Sequence, residues 1–270
     1  MTKSPVILII YDRPDLTKKV FYEIRKAQPR QLYIIADGPT KGTGSNNIEC
    51  NAARDIIKVD WECEVTHDYS DLHLGCQQRV HSGISNAFEQ FDRAIILEDD
   101  CLPHPSFFTF CDAMLERFNN TEEVMHICGS NFVNPKKFSH SYAFTQHPTP
   151  WGWATWRLAW QQIDLKMNDY FSQIETIKSQ IQISPRALRK LTKRLRKVQT
   201  EEVSSWAYPW LAKILAKNAF SITPKQNLVS NIGFDARSTH TANPDSFFAN
   251  YLTSEMPAEL SHPKAVKIDP

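Results

Sequence analysis

Across the first hundred residues, short apolar runs alternate with amphipathic segments, and this alternation confines the chain to a few architectures. Val6-Ile-Leu-Ile-Ile10 is continuous, short and β-branched, the pattern of a strand buried on both faces. Asp15–Ala27 carries Leu16, Val20, Phe21 and Ile24 at helical spacing, with Asp15 near its N-terminus. Strands over Leu32–Ala36, Cys63–His67 and Ala94–Leu97, with helices over Glu49–Val59 and Gln77–Phe91, continue the series. The βαβαβαβ order predicts an α/β fold with a mostly parallel sheet flanked by helices. Beyond residue 98 the pattern loosens. It predicts a helix over Ser106–Phe118, a strand over Val124–Cys128 and an extended loop over 129–153 with a β-ribbon at Tyr142–Phe144. A largely helical stretch over 154–218 and a strand over Ala219–Thr223 follow. With no repeat or low-complexity linker, residues 1–270 read as one domain.

Glycine limits what such a sheet can bind. Only 8 of 270 residues are glycine, and neither G-x-G-x-x-G nor G-x-x-x-x-G-K-[ST] occurs, which argues against a dinucleotide or P-loop site. Any phosphate must be held by other means. With 31 basic against 30 acidic side chains there is no global footprint for nucleic acid, and none is expected as a partner. The six cysteines form no C-x-x-C pair, which disfavours zinc ribbons and redox sites and suits a reduced, cytoplasmic protein. The longest strongly apolar run, Val6–Ile10, is far short of the roughly 20 residues of a membrane span, so no transmembrane segment is expected. The N-terminus lacks a signal-peptide cleavage pattern.

Chemistry concentrates at Ile95-Ile96-Leu97-Glu98-Asp99-Asp100. An apolar strand delivers three carboxylates at its C-terminal end, where open α/β sheets place their ligand crevices. Adjacent carboxylates raise one another's pKa unless a cation or hydrogen-bond donors sit among them, and a hard divalent ion such as Mg²⁺ or Mn²⁺ suits such oxygens. Alone, the triplet reads first as a solvated acidic turn after a strand. Its context is more pointed: Asp12-Arg13 closes the first strand, Asp37-Gly38 closes the second, and the prolines at 103 and 105 fix the acidic turn. If these strands are neighbours, the acids and Arg13 converge on one edge.

Tyr11-Asp-Arg-Pro-Asp15, Ala36-Asp37-Gly38, Gln78-Arg79 and Leu97-Glu-Asp-Asp-Cys-Leu-Pro-His-Pro-Ser-Phe-Phe108 together resemble the GT-A glycosyltransferases. The likeness is to N-acetylglucosaminyltransferase I and bacterial nucleotide-diphospho-sugar transferases. It covers about residues 5–118, with Trp151-Gly-Trp-Ala-Thr-Trp156 and Thr239-His-Thr241 similar to the bacterial relatives. The resemblance implies a Rossmann-like GT-A fold in which 1–130 binds a nucleoside diphosphate sugar and 131–270 faces a carbohydrate or lipid-linked acceptor. It implies that Asp37 meets the nucleobase, that Arg13 and Arg79 meet ribose or diphosphate, and that Glu98 and Asp99 bind sugar or ribose hydroxyls. Asp100 would ligate the Mn²⁺ or Mg²⁺, with His240 as a further metal or diphosphate contact.

An inverting transfer needs a carboxylate to take the acceptor proton. The family carries acids between tryptophans at this point, whereas Trp206-Ala-Tyr-Pro-Trp210 has none. Glu201 and Glu202 are then the nearest candidates for the base, with Asp164 and Asp169 farther off. Trp151 and Trp153, beside Pro148 and Pro150, are candidates to stack on sugar. Trp156 and Trp160, four apart, are expected to share a helix face in the core. Arg186–Lys197 holds seven basic residues in twelve, on an amphipathic helix whose polar face suits an anionic membrane surface or a phosphate-bearing acceptor. This leads to an expectation of a cytoplasmic enzyme, peripheral at the inner membrane face, in surface polysaccharide or glycolipid synthesis. A sugar nucleotidyltransferase or an inactive nucleotide-sugar-binding protein are the alternatives.

Overall fold

Val6–Ile10 forms strand β1 with all five side chains buried, because a strand covered by helices on both faces has no solvent side for polar residues. The computed structural model describes residues 1–40, 44–181, 184–235 and 243–268. After β1 come α1 (Pro14–Ala27), β2 (Gln31–Ala36), α2 (Gly44–Asp55), β3 (Glu64–Tyr69), α3 (Gly75–Phe88) and β4 (Arg93–Glu98). Then follow β5 (Cys101–Pro103), α4 (Pro105–Arg117), β6 (Val124–Cys128), β7 (Tyr142–Thr145) and β8 (Trp153–Trp156). The remainder holds α5 (Arg157–Trp160), α6 (Asn168–Ser172), α7 (Ile174–Gln180), α8 (Pro185–Gln199), α9 (Ala207–Ala216), β9 (Phe220–Pro224) and β10 (Val229–Asn231).

One eight-stranded sheet runs in the order β3-β2-β1-β4-β8-β6-β9-β7. Strands β3, β2, β1 and β4 are parallel, as the alternation predicts. Their side chains divide by parity. Val6, Leu8 and Ile10 pack with α1 and α4 through Val20, Ile24, Phe107 and Met114, while Ile7 and Ile9 pack with α3 and four tryptophans on the opposite face. A third apolar cluster joins α6 to α9.

The second half departs from expectation at residues 153–156. These residues form β8, antiparallel to both β4 and β6, instead of opening a helix. Ala154 pairs with both Ile95 and Ile127, so its small side chain sits where two strands flank it. Trp156 is therefore a strand residue, and it does not share a helix face with Trp160. A ribbon not foreseen from sequence pairs β10 antiparallel with β5, matching Asn231 to Cys101. All six cysteines are free, and among the described residues no helix is long and apolar enough to cross a membrane.

Candidate active site

The C-terminal ends of β2, β1 and β4 lie side by side, which brings Asp37, Arg13 and the Glu98–Asp100 turn to one sheet edge. They line a cleft of about 970 Å³, within the range of small-molecule sites. Arg13 caps α1 by backbone: its carbonyl accepts from Thr17 N (2.9 Å) and Thr17 Oγ1 (2.9 Å), with Pro14 entering the helix. This rigid turn aims a buried guanidinium. Its Nη1 lies 3.5 Å from Asp100 Oδ2, and its Nη2 donates to Gly233 O (3.1 Å) and Asp235 Oδ1 (2.8 Å).

The β5–β10 ribbon supplies the other half of this contact. Ile232 N donates to the Asp100 carbonyl at 2.8 Å, and Gly233 N donates to Asn231 Oδ1 at 2.9 Å. Around Asp100, the Cys101 thiol donates to Oδ1 at 3.3 Å and the Asn231 side chain adds a further hydrogen bond. A Cβ at Gly233 would fall on both the Asp100 carboxylate and the Arg13 guanidinium. Asn231, Gly233 and Asp235 were not legible as site residues, although a rare glycine two residues after an asparagine within Asn227–Phe234 marks a tight backbone approach.

The carboxylates are under-compensated. Burial raises Glu98 and Asp99, and Asp100 adds to the rise in both; Tyr11 N–H (3.1 Å) and Arg13 oppose it at Asp99, the Trp206 side chain at Glu98. Asp100 is raised by the same burial, which Cys101, Arg13 and Asn231 oppose. Nearby Cys76 is pushed to about 12, by burial and then by Glu98, so its thiol stays protonated and inert. Arg13 opposes the rise at Asp99 and Asp100 and not at Glu98, so the acidic turn is an environment that favours a cation. Among the described residues no three His, Cys, Asp or Glu side chains converge as a ready cage.

Asp37 lines the cleft but anchors its wall. Oδ1 accepts from Gly38 N and Leu74 N, and Oδ2 from Gly75 N, each at 2.9 Å, with His73 Nδ1 3.0 Å away. Tyr11 and His73 stand 5.3 Å apart on this wall, and Tyr11 Oη bonds Thr40 and Asn46. Neither ring was anticipated, although Tyr11 directly follows a buried strand. Arg79 also borders the cleft, yet its guanidinium is turned to the scaffold: Nε donates to Ala36 O (3.1 Å), and Nη2 donates to the carbonyl and, at 2.6 Å, to the carboxylate of Asp68. These bonds clamp β2 against β3.

Trp151 lines the cleft, half-buried, with Phe132 and Phe234 edge-on at 5.5 and 5.6 Å. Trp153 is 0% exposed, stacked between His126 and Trp206 at 5.1 Å from each, so the expected sugar contact is corrected to a core role. Gly152 between them takes φ +59°, and its carbonyl accepts from Gly129 N at 2.7 Å. Glu201 and Glu202 are exposed and absent from the cleft lining. Glu201, at φ 63°, ends α8 and pairs with Lys166 at 2.7 Å; Glu202 pairs with Lys197 at 3.3 Å. The two expected bases thus lie outside the cleft lining: the chain turns after α8 before entering the cleft at Ser204–Trp206. His240 lies outside the described residues.

No family model matches the chain. A stretch of 178 residues, 62% of the chain, is 24% identical to an alpha-1,3-mannosyl-glycoprotein 2-beta-N-acetylglucosaminyltransferase of Arabidopsis thaliana. The chain is thus similar to an N-acetylglucosaminyltransferase, as the motifs around Arg13 and Glu98–Asp100 suggested. The match spans 40% of that relative's length. A UDP-glucose pyrophosphorylase complexed with UDP-glucose aligns with 54% of this chain and 63% of its own, at 13% identity and a TM-score of 0.31, a superposition too loose to inform the site.

Proposed function

We propose that the protein is a glycosyltransferase that moves a sugar from a nucleoside diphosphate sugar to an acceptor hydroxyl with the help of Mn²⁺ or Mg²⁺. The observation that carries this reading is that Glu98, Asp99, Asp100 and Arg13 line one cleft at the ends of neighbouring parallel strands, with Arg13 3.5 Å from Asp100. Asp100, with its raised proton affinity, fits a hard cation that takes only one or two carboxylates and fills its shell with phosphate oxygens and water. When bound, such an ion would offset the charge developing on the departing diphosphate.

The chain's own residues do the positioning. Arg13, anchored by Gly233 and Asp235, holds a fixed positive charge toward the diphosphate and needs no reorganisation as charge develops. Glu98 and Asp99 offer acceptors to sugar or ribose hydroxyls. The Tyr11 and His73 rings, beside the Asp37-anchored wall, provide apolar surface for the nucleobase, and half-buried Trp151 provides it for a sugar. We read residues 1–130 as the donor half and 131–270 as the acceptor half of one domain.

Purified protein with Mn²⁺ and a panel of nucleotide sugars should release nucleoside diphosphate, and Asp100→Ala should lose that release. Equal inertness of both proteins, without donor binding, would remove the proposal. Glu201 and Glu202 pairing with surface lysines favours one second reading, a nucleotide-sugar-binding protein that does not transfer. Donor binding without turnover across candidate acceptors would select it.

A further inference from the structure

Helix α8 concentrates positive charge on one face. Its sequence, PRALRKLTKRLRKVQ, holds seven basic residues and no acid. Removing these seven from the chain's 31 leaves 24 basic against 30 acidic side chains, so a nearly neutral protein consists of one cationic helix on an anionic body. Leu195 and Val198 are buried in the α6–α9 cluster, Leu191 packs against it and Leu188 is buried on the same side of the helix, which fixes the outward face. That face shows Arg186, Arg189, Lys190, Lys193 and Arg196 exposed. Among the described residues, Arg186, Arg189, Lys190 and Lys193 form no ion pair with a carboxylate, whereas Lys197 at the end of the helix pairs with Glu202.

The helix also adjoins the cleft. The Arg194 guanidinium stands 5.4 Å over the ring of Tyr208, a cleft-lining residue, and its Nε is buried without a hydrogen-bond partner. A partner seated on α8 would therefore lie beside the entrance to the site.

We propose that the outward face of α8 docks the protein on an anionic lipid surface and brings the cleft to acceptors held there. Charge complementarity identifies the partner. An anionic bilayer attracts the helix and repels the rest of the molecule, so only one orientation is favourable. The helix carries no aromatic residue on which a nucleotide base would stack, which disfavours nucleic acid. None of the large exposed apolar side chains belongs to α8, so attachment is electrostatic, reversible and sensitive to salt. It does not depend on which reaction the cleft performs.

The test is co-sedimentation of the full chain with phosphatidylcholine vesicles, with and without phosphatidylglycerol, at about 0.15 M and about 0.5 M salt. The wild type should bind only the anionic vesicles at the lower salt and detach at the higher. Arg186→Gln/Arg189→Gln/Lys190→Gln/Lys193→Gln, with an unchanged thermal midpoint, should bind about a hundredfold more weakly or worse. Arg186→Lys/Arg189→Lys, which keeps the charge, should bind like the wild type. Equal binding by the Gln variant, no preference for anionic lipid, or tighter binding of single-stranded RNA with the same loss in the Gln variant would each overturn the assignment.

Discussion

Arg13 and Asp100 face each other at 3.5 Å across the ends of β1 and β4, and Gly233 occupies the space where any side chain would touch both. The arrangement joins the first strand, the acidic turn and the β10 segment into one structure, so geometry at the cleft floor depends on residues 220 positions apart in the chain.

Gly233→Ala should test that junction. The new methyl group must displace the Asp100 carboxylate or the Arg13 guanidinium, and overpacking of this kind costs about 1–3 kcal/mol. Donor affinity should fall at least about tenfold, because both displaced groups line the cleft. Denaturant unfolding and calorimetric titration measure the two effects, and unchanged values in both would show that the cleft floor tolerates movement.

The buried acids give the cation-free protein an unusual pH profile. Glu98 and Asp99 are raised to about 8, mainly by burial, whereas unfolded carboxylates titrate near pH 4. Between those values the folded state holds more protons, so stability from these groups falls as pH rises. His126 acts in the opposite sense: burial lowers it to about 3, so its contribution grows as pH rises toward its unfolded value of about 6.5. The difference between wild type and Glu98→Gln isolates the acidic cluster. The variant should gain thermal midpoint relative to wild type as pH increases, and added Mn²⁺ should narrow the gap at about pH 8. A gap that shrinks with pH in the absence of cation would refute the electrostatic description.

Arg79→Ala should behave as a scaffold lesion. Loss of the clamp removes one donor from the Ala36 carbonyl, which keeps Ser70 N, and the charged donor from the Asp68 carboxylate, which keeps Tyr33 Oη and Asn86 Nδ2, at a cost of about 3 kcal/mol. Nucleotide affinity in the folded fraction should stay within about threefold of wild type. A large affinity loss with little change in unfolding midpoint would return Arg79 to the binding site.

Glu201→Gln/Glu202→Gln should leave steady-state turnover within about twofold, since both acids are exposed and paired with surface lysines. Abolished turnover with intact donor binding would restore one of them as the base.

The first half of the chain was legible because its logic is local. A continuous apolar strand followed by a charged turn can be read in Val6–Arg13 and again in Ala94–Asp100, and parallel order then aligns the turns. The second half was not, for physical reasons that differ by position. Trp153–Trp156 has four residues that suit either a helix or a central strand, and only the strands on both sides of Ala154 decide between them. Asn231 acquires its role from pairing with Cys101 more than a hundred residues earlier, and Gly233 from following that pair to the Arg13 guanidinium. Glu201 and Glu202 were misplaced because proximity in sequence to Trp206 concealed a turn that directs them outward.

The central claim is that Asp100 and its neighbours hold a nucleoside diphosphate sugar together with a divalent cation. Calorimetric titration of nucleotide sugars into wild type and Asp100→Asn, each with and without Mn²⁺, tests it most directly. The account predicts tight binding by the wild type only with Mn²⁺, and loss of that dependence in the variant. Binding by the wild type that is indifferent to Mn²⁺, or binding by Asp100→Asn that keeps the full effect of the cation, would contradict it.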